Sequence, residues 1–154
     1  MFVAHLACMD TRVEQTIAAW EAGIGADEKI DPIWSLYAYR VARCLVDLAQ
    51  GDSSRILLAR VDAKLIAQLS RAVASIGANV AEGYSRRSAA DRSRFYGYAL
   101  GSARESTLWY RSMAWCLDGD TLDLRMAFLT QERRLLVGML KSVQRHGAPE
   151  FERG

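Results

Sequence analysis

Proline is nearly absent from this sequence of 154 residues, which contains only Pro32 and Pro149. Proline inside an α-helix removes a backbone hydrogen bond and clashes with the preceding turn. The long stretch between the two prolines therefore lacks the strongest helix breaker, and nothing in it prevents a series of long helices.

Long apolar runs and an even number of cysteines are also missing, and histidine is rare. No apolar run approaches the ~18–20 residues that a membrane-spanning helix needs. The three cysteines, Cys8, Cys44 and Cys116, are an odd number without metal-ligand spacing, which favours reduced thiols and a cytoplasmic protein. The only histidines are His5 and His146, and no Glu is followed three residues later by His, as bundle di-metal centres require. We therefore expect no metal, no cofactor, no membrane contact and no enzymatic activity.

Helical periodicity with readable ends appears in four segments. Asp31-Pro32 places a capping side chain before a proline at the first helical position. Another helix is expected to start near Asp62, and Ser88-Ala-Ala-Asp91 has the pattern of a capping box. Glycines supply the expected stops. The predicted helices span 31–51, 62–83, 88–119 and 120–147, and Gly51-Asp-Ser-Ser is expected to be a loop.

Short loops between long helices favour antiparallel neighbours. The predicted fold class is therefore all-α, an antiparallel up-down-up-down four-helix bundle over residues 31–147 with a short N-terminal extension. In that extension, residues 1–30, the pattern Thr11-Arg-Val-Glu14 predicts a short helix at about 12–22 followed by a linker. Residues 148–154 are expected to be a tail.

Small residues line part of the predicted second helix and recur in the third. Gly97 and Gly101 lie four residues apart, on one helical face. Glycine inside a soluble helix costs about 1 kcal/mol relative to alanine. We therefore expect both glycines to pack closely against Ala74, Ala78 and Ala81. Two aromatic residues outside the main stripe of the third helix, Tyr110 and Trp115, are expected to face a second protomer.

Positive charge is concentrated in the middle of the chain. Residues 71–111 contain seven Arg against three acidic residues, although the whole chain carries only +2. Four of these arginines flank the turn between the second and third predicted helices, where free backbone N–H groups already favour anions. Tyr84 and Tyr96 lie beside them and suit base stacking. One interpretation is a nucleic-acid interface; the other is a set of solvated surface arginines. The candidate contacts are Arg86, Arg87, Arg92 and Arg94, with Arg71 as a fifth.

Asn79 and Glu82 lie beside the apolar stripe of the second helix. A carboxylate in a pocket is a candidate acid or base. Alternatively, the two side chains tie this helix to the next one through Ser102, Ser106 or Arg104, since buried polar groups in a bundle more often fix register than react.

The sequence Ser75-Ile-Gly-Ala-Asn-Val-Ala-Glu-Gly83, followed by Gly101-Ser102, resembles the bacterial four-helix-bundle family of 23S rRNA intervening-sequence proteins. The resemblance extends over about residues 33–146. Gly77 stands where the family usually has Pro, and Val80 where it usually has Ile. The matching signature residues, expected to be structural, are Ser75, Ile76, Asn79, Glu82, Gly83, Gly101 and Ser102.

The resemblance implies a bundle without known enzymatic activity that forms a homopentamer in several relatives. Some relatives resemble the accessory variability protein of diversity-generating retroelements, which binds a reverse transcriptase and nucleic acid. This chain is only slightly basic by comparison. The leading hypothesis is a non-enzymatic homo-oligomer that binds RNA or a nucleic-acid-handling partner. The alternatives are an adaptor subunit of a retroelement reverse transcriptase and an enzyme that uses Glu82.

Overall fold

The computed structural model describes the backbone of residues 2–146 and the side chains of residues 11–145. Within this range the chain is all-α, with five α-helices and no strand. The sequence predicted four long helices and one short one; the N-terminal helix is instead as long as its neighbours. The helices are α1 (Phe2–Ala22), α2 (Tyr37–Leu58), α3 (Ala63–Ser85), α4 (Ala89–Ser112) and α5 (Gly119–His146). Three short 3₁₀ turns cover Glu28–Ile30, Pro32–Ser35 and Ala114–Cys116.

Local capping signals place several helix starts where the sequence predicted them. The Asp62 carboxylate accepts a hydrogen bond from the Lys64 backbone N–H at 2.8 Å, at the start of α3. The Ser88 hydroxyl accepts one from the Asp91 backbone N–H at 3.0 Å, at the start of α4. Each side chain satisfies a backbone donor that the first turn leaves without a partner.

The start and the end of α2 differ from the prediction. Asp31 caps a 3₁₀ turn through the Ile33 N–H, and the α-helix begins only at Tyr37. Gly51 does not stop α2, which continues to Leu58 and includes the segment that was expected to be a loop. The reason is packing, because Asp52 and Ile56 continue the buried face of the helix.

Gly83 and Gly119 also fail as helix stops. Gly83 is buried inside α3, and a Cβ built on it would lie 2.5 Å from the Tyr96 ring on α4. The glycine is therefore needed for a close helix–helix approach and not for a left-handed turn. Gly119 begins α5, just after Asp118, whose carboxylate accepts from the Thr121 backbone N–H. Residues 147–154, including the predicted stop at Gly147 and the tail, lie outside the described residues.

The prediction that Gly97 and Gly101 pack closely against Ala74, Ala78 and Ala81 was wrong. Gly97 and Gly101 are exposed, and a Cβ on either would meet nothing within 4 Å. Ala74 and Ala78 are exposed as well, so this small-residue surface faces outward within the single chain. Among the glycines of α3 and α4, it is Gly83 that lies tightly against the other helix, at the Tyr96 ring.

The core lies among α2, α3, α4 and α5, and α1 packs against α2 and α5. Val13 and Ile17 of α1 are buried in the same cluster as the core of the other helices. Trp20 makes two further contacts that hold α1 against the rest of the fold. Its indole Nε1 donates to the Asp47 carboxylate of α2 at 2.7 Å, and its ring stacks on Trp34. The N-terminal helix is therefore an integral layer of the fold.

Candidate nucleic-acid interface

The turn between α3 and α4 brings two of the predicted arginines over one aromatic ring. Arg86 ends α3 and Arg94 lies in the second turn of α4. Their guanidinium carbons lie 4.8 Å and 5.4 Å from the centroid of the Phe95 ring. Stacking of this kind holds two flat cationic groups in fixed positions at the surface. We refer to residues 82–96 as the arginine elbow.

Two of the four elbow arginines already have a carboxylate partner. Arg86 donates to both Glu82 oxygens at 3.0 Å, and Arg94 lies 3.0 Å from an Asp91 oxygen. All four side chains are about half exposed, so solvent screens both pairs. Such pairs are weak and can exchange a carboxylate for a phosphate. Four Arg against two acids leave the elbow with a net charge of +2.

The other two elbow arginines differ from each other. Arg87 is exposed and makes no ion pair or hydrogen bond with the described residues. Arg92 is half-buried, and its Nε atom is buried without a hydrogen-bond partner among the described residues. Arg87 is thus the most available contact for an anion at the elbow.

The two tyrosines that were predicted to stack on bases differ in how deeply they are buried. Tyr96 is only 5% exposed because its ring packs against Gly83, and burial raises its pKa. Tyr84 is 41% exposed. Tyr84 therefore remains available for stacking, and the prediction for Tyr96 was wrong.

Arg71, the fifth predicted contact, is remote from the elbow. It precedes Arg86 by fifteen positions on α3, which corresponds to about 22 Å along a helix. Its guanidinium donates to the Gln68 side chain at 2.6 Å. The structure does not bring Arg71 together with the other four.

The polar residues of the family signature form a hydrogen-bonded chain between α3 and α4. The Asn79 amide donates to the Ser75 carbonyl and hydroxyl, at 2.8 and 3.0 Å. The Ser102 hydroxyl donates to the Ser75 hydroxyl at 3.1 Å. A tie between the two helices through Ser102 is therefore present, but its partner on α3 is Ser75, whereas Asn79 bonds to Ser75 of its own helix. Ile76 is fully buried, as a core position requires.

Glu82 takes no part in this chain. Its carboxylate is exposed and faces Arg86, four residues later. A catalytic acid or base usually lies in a cleft that holds the substrate. Glu82 lies on an exposed surface and is paired with Arg86, so the geometry does not favour the hypothesis of an enzyme that uses it.

Sequence reasoning missed the buried charged residues. Asp52 accepts hydrogen bonds from Arg125 and Tyr110 in the interior, and Glu132 is fully buried on α5. Both carboxylates occupy positions of an apolar stripe, Asp52 between Ala49 and Ile56. The presence of an acidic residue at a position of the apolar stripe was the sequence signal that could have identified them.

Glu132 has no hydrogen-bond partner among the described residues, and both of its carboxylate oxygens are buried. Desolvation raises its pKa well above the ordinary value, which favours the neutral form of the side chain. Burial also raises the pKa of the Cys44 thiol to about 12, which excludes a reactive thiolate there.

Within the described residues, no group of three or more His, Cys, Asp or Glu is placed to hold a metal ion. Nor does any described helix combine the length and hydrophobicity needed to cross a bilayer.

A comparison with known families concerns the segment that contains both the elbow and the hydrogen-bonded chain between α3 and α4. The sequence profile of the 23S rRNA-intervening sequence protein family matches residues 52–116, from the buried Asp52 through α3 and α4 to Cys116. No curated protein matches the chain. The matched segment includes the Ser75–Asn79–Ser102 chain and the whole arginine elbow. The resemblance to 23S rRNA-intervening sequence proteins, expected over residues 33–146, is therefore confirmed for residues 52–116.

Proposed function

We propose that this protein is a non-enzymatic, cytoplasmic homo-oligomer that binds RNA through the arginine elbow. In this proposal α2 to α5 form the up-down-up-down four-helix bundle, and α1 is an added layer on α2 and α5. The family name supports an association with ribosomal RNA. The bundle then acts as a rigid support for the elbow.

One observation carries the proposal. The elbow holds the guanidinium groups of Arg86 and Arg94 against Phe95, next to the unpaired and exposed Arg87. Arginine presents a planar set of donors that fits phosphate oxygens, and stacking reduces the entropy lost on binding. The exposed Tyr84 adds a surface for an unpaired base.

The experiment measures the affinity for a fluorescein-labelled RNA hairpin by fluorescence anisotropy. The wild type is compared with Arg86→Gln/Arg87→Gln and with the control Arg55→Gln/Arg60→Gln, which removes the same charge from two exposed arginines outside the elbow. Phosphate contacts release counterions, so wild-type affinity should fall steeply between ~50 and ~200 mM salt. The elbow variant should bind more weakly and lose about one unit of salt slope per missing contact. Equal binding by both variants would refute the elbow as the site.

The homo-oligomer is the second part of the proposal. Tyr98, Leu108 and Trp115 are 55%, 60% and 71% exposed, which is high for large apolar side chains. A second copy of the chain would cover this surface together with Gly97 and Gly101. Tyr110 does not belong to it, since it is fully buried and the expectation that it faces a partner was wrong. Light scattering at several concentrations should give the mass of an oligomer, a pentamer by family resemblance; a monomer at every concentration would refute this part.

The same exposed apolar side chains favour one alternative, an adaptor that binds a protein. In this case the partner would be a retroelement reverse transcriptase, and the chain would act as its accessory subunit. Trp115→Ala would then weaken binding to the reverse transcriptase without changing RNA affinity. A gene for a reverse transcriptase beside this one would support the adaptor; its absence would favour the RNA-binding oligomer.

A further inference from the structure

A groove between α4 and α5 contains a second group of arginines, remote from the elbow in sequence. It is a shallow, open depression with a volume of about 410 Å³. Three of its six lining residues are arginine and none is acidic. The lining residues are Leu100, Arg104, Thr130, Arg133, Arg134 and Val137.

The side chains of the groove combine available donors with an apolar floor. Arg104 is exposed and makes no ion pair within the described chain. Arg133 is held in place, because its Nε donates to the Leu129 carbonyl and its Nη2 to the Thr130 hydroxyl, both at 3.2 Å. Leu100 and Val137 are the apolar residues of the lining, and Leu100 is only 8% exposed. A fixed guanidinium beside a small apolar surface suits a phosphate with an attached sugar or base.

Charge is divided unevenly along α5. Residues 133–145 contain four basic residues and no acidic one, whereas the exposed acidic residues Asp118, Asp120 and Asp123 cluster at the start of the helix. The remaining acid of α5, Glu132, is fully buried and lies inside the core, and this burial raises its pKa well above the ordinary value. No carboxylate on this half of the helix therefore offsets the positive charge beside the groove.

The order of residues along α4 and α5 places basic residues between the groove and the elbow. Helices α4 and α5 pack together and are joined by only six residues, so they run in opposite directions. Lys141 and Arg145, both exposed, lie on α5 beyond the groove and therefore toward the start of α4. Arg94 and Arg104 are about 15 Å apart along α4. Positive charge thus continues from the groove to the elbow.

We infer that the α4–α5 groove is a second phosphate-binding site of the same RNA, joined to the elbow by Lys141 and Arg145. This inference rests on the proposed RNA-binding function and adds a location for the rest of the strand. RNA carries a charge at regular intervals, so a single strand can contact basic residues at both the groove and the elbow. A short acidic peptide would occupy only the groove.

The test compares RNA binding by Arg104→Gln/Arg133→Gln with the same control, Arg55→Gln/Arg60→Gln. Glutamine keeps side-chain donors, so circular dichroism and the melting temperature should stay close to the wild type. The groove variant should lose about tenfold in affinity for the labelled hairpin and reduce the salt slope by about two. Arg104→Lys, which retains the charge, should bind nearly as well as the wild type. If the double variant loses its fold, Arg104→Gln alone, at an exposed side chain, carries the comparison.

The outcomes separate this inference from the proposed function. If the wild type binds RNA and the groove variant binds as the control does, the groove is not an RNA site while the elbow proposal stands. If the wild type binds no RNA at low salt, the proposed function and the groove inference both fail. If polyglutamate displaces the hairpin from the wild type and binds more tightly than RNA does, the groove is a site for an acidic protein and the inference is wrong.

Discussion

Arg125 of α5 holds Asp52 of α2 in a two-point ion pair inside the core. Its Nε lies 2.7 Å from Oδ2 and its Nη2 lies 3.0 Å from Oδ1. Tyr110 of α4 donates its hydroxyl to the same Oδ2 at 2.8 Å. Three helices are thereby joined at one carboxylate, and each residue of the group is less than a tenth exposed.

Removing one partner of this buried pair should destabilise the fold strongly. Arg125→Met leaves the Asp52 carboxylate buried without its cation, which typically costs about 3–5 kcal/mol. Tyr110→Phe removes one hydrogen bond and should cost about 1–3 kcal/mol. Urea denaturation measures both. The control is Arg55→Gln, at an exposed ion pair with Asp118, which should cost less than about 1 kcal/mol. Equal effects for Arg125→Met and Arg55→Gln would contradict the role of the buried pair.

Alanine at Gly83 and alanine at Gly101 should have opposite effects on stability. A Cβ at Gly83 would come within 2.7 Å of two Tyr96 ring atoms and 3.3 Å of the Phe95 Cβ, so the buried Tyr96 ring or the helix that carries it must shift. We expect Gly83→Ala to cost about 1–3 kcal/mol. Gly101 is exposed with open space around it, and alanine there should stabilise the helix by up to about 1 kcal/mol. Thermal melts measure both, and stabilisation by Gly83→Ala would show that the close approach is absent.

Glu132 should make stability decrease as pH rises. Because the raised pKa lets the folded chain keep a proton that the unfolded chain has released, the free energy of unfolding falls above pH about 4.5. The fall ends where the folded carboxyl finally ionises. Glu132→Gln, which cannot ionise, should flatten this dependence, and Glu132→Leu should be more stable than the wild type at neutral pH. Urea denaturation from pH 5 to pH 8, a range over which an ordinary glutamate is already ionised, would show the difference; parallel profiles for wild type and Glu132→Gln would refute it.

The Trp20–Asp47 hydrogen bond should control how firmly α1 stays on the bundle. Asp47→Ala removes the acceptor of the Trp20 indole, so Trp20 is held less firmly beside Trp34. The free energy of unfolding should fall by about 1–3 kcal/mol. Hydrogen exchange followed by mass spectrometry should then show faster exchange in α1. Glu14→Ala, at an exposed side chain of α1, serves as the control and should leave the exchange unchanged. Unchanged exchange in Asp47→Ala would mean that other contacts hold α1.

Features fixed by neighbouring residues were predictable from the sequence. Asp62 and Ser88 cap helices through backbone groups two or three residues away, so a short pattern was sufficient to find them. Ser102 was among the residues predicted to tie α4 to α3, although its partner on α3 is Ser75 and not Asn79 or Glu82. The arginine elbow was also found, because all four of its arginines lie close together in the sequence.

Features fixed by tertiary packing were not predictable in the same way. Gly51-Asp52 resembles a loop locally, but the partner of Asp52 is Arg125, 73 positions later. Gly83 resembles a helix stop until Tyr96 is placed against it. The α4–α5 groove was not predicted because Arg104 and Arg133 come from different helices. In addition, acidic residues elsewhere in the sequence offset the positive charge of residues 133–145 in the net charge of the chain.

Photo-crosslinking of thiouridine-substituted RNA to the wild-type protein tests the central claim, that the arginine elbow and its neighbouring basic surface bind RNA. The cross-linked peptides are identified by mass spectrometry at low and high salt. We predict cross-links at low salt in residues 82–111 and 130–145, lost at high salt. Cross-links confined to α1 and α2, or cross-links that persist unchanged at high salt, would contradict the account.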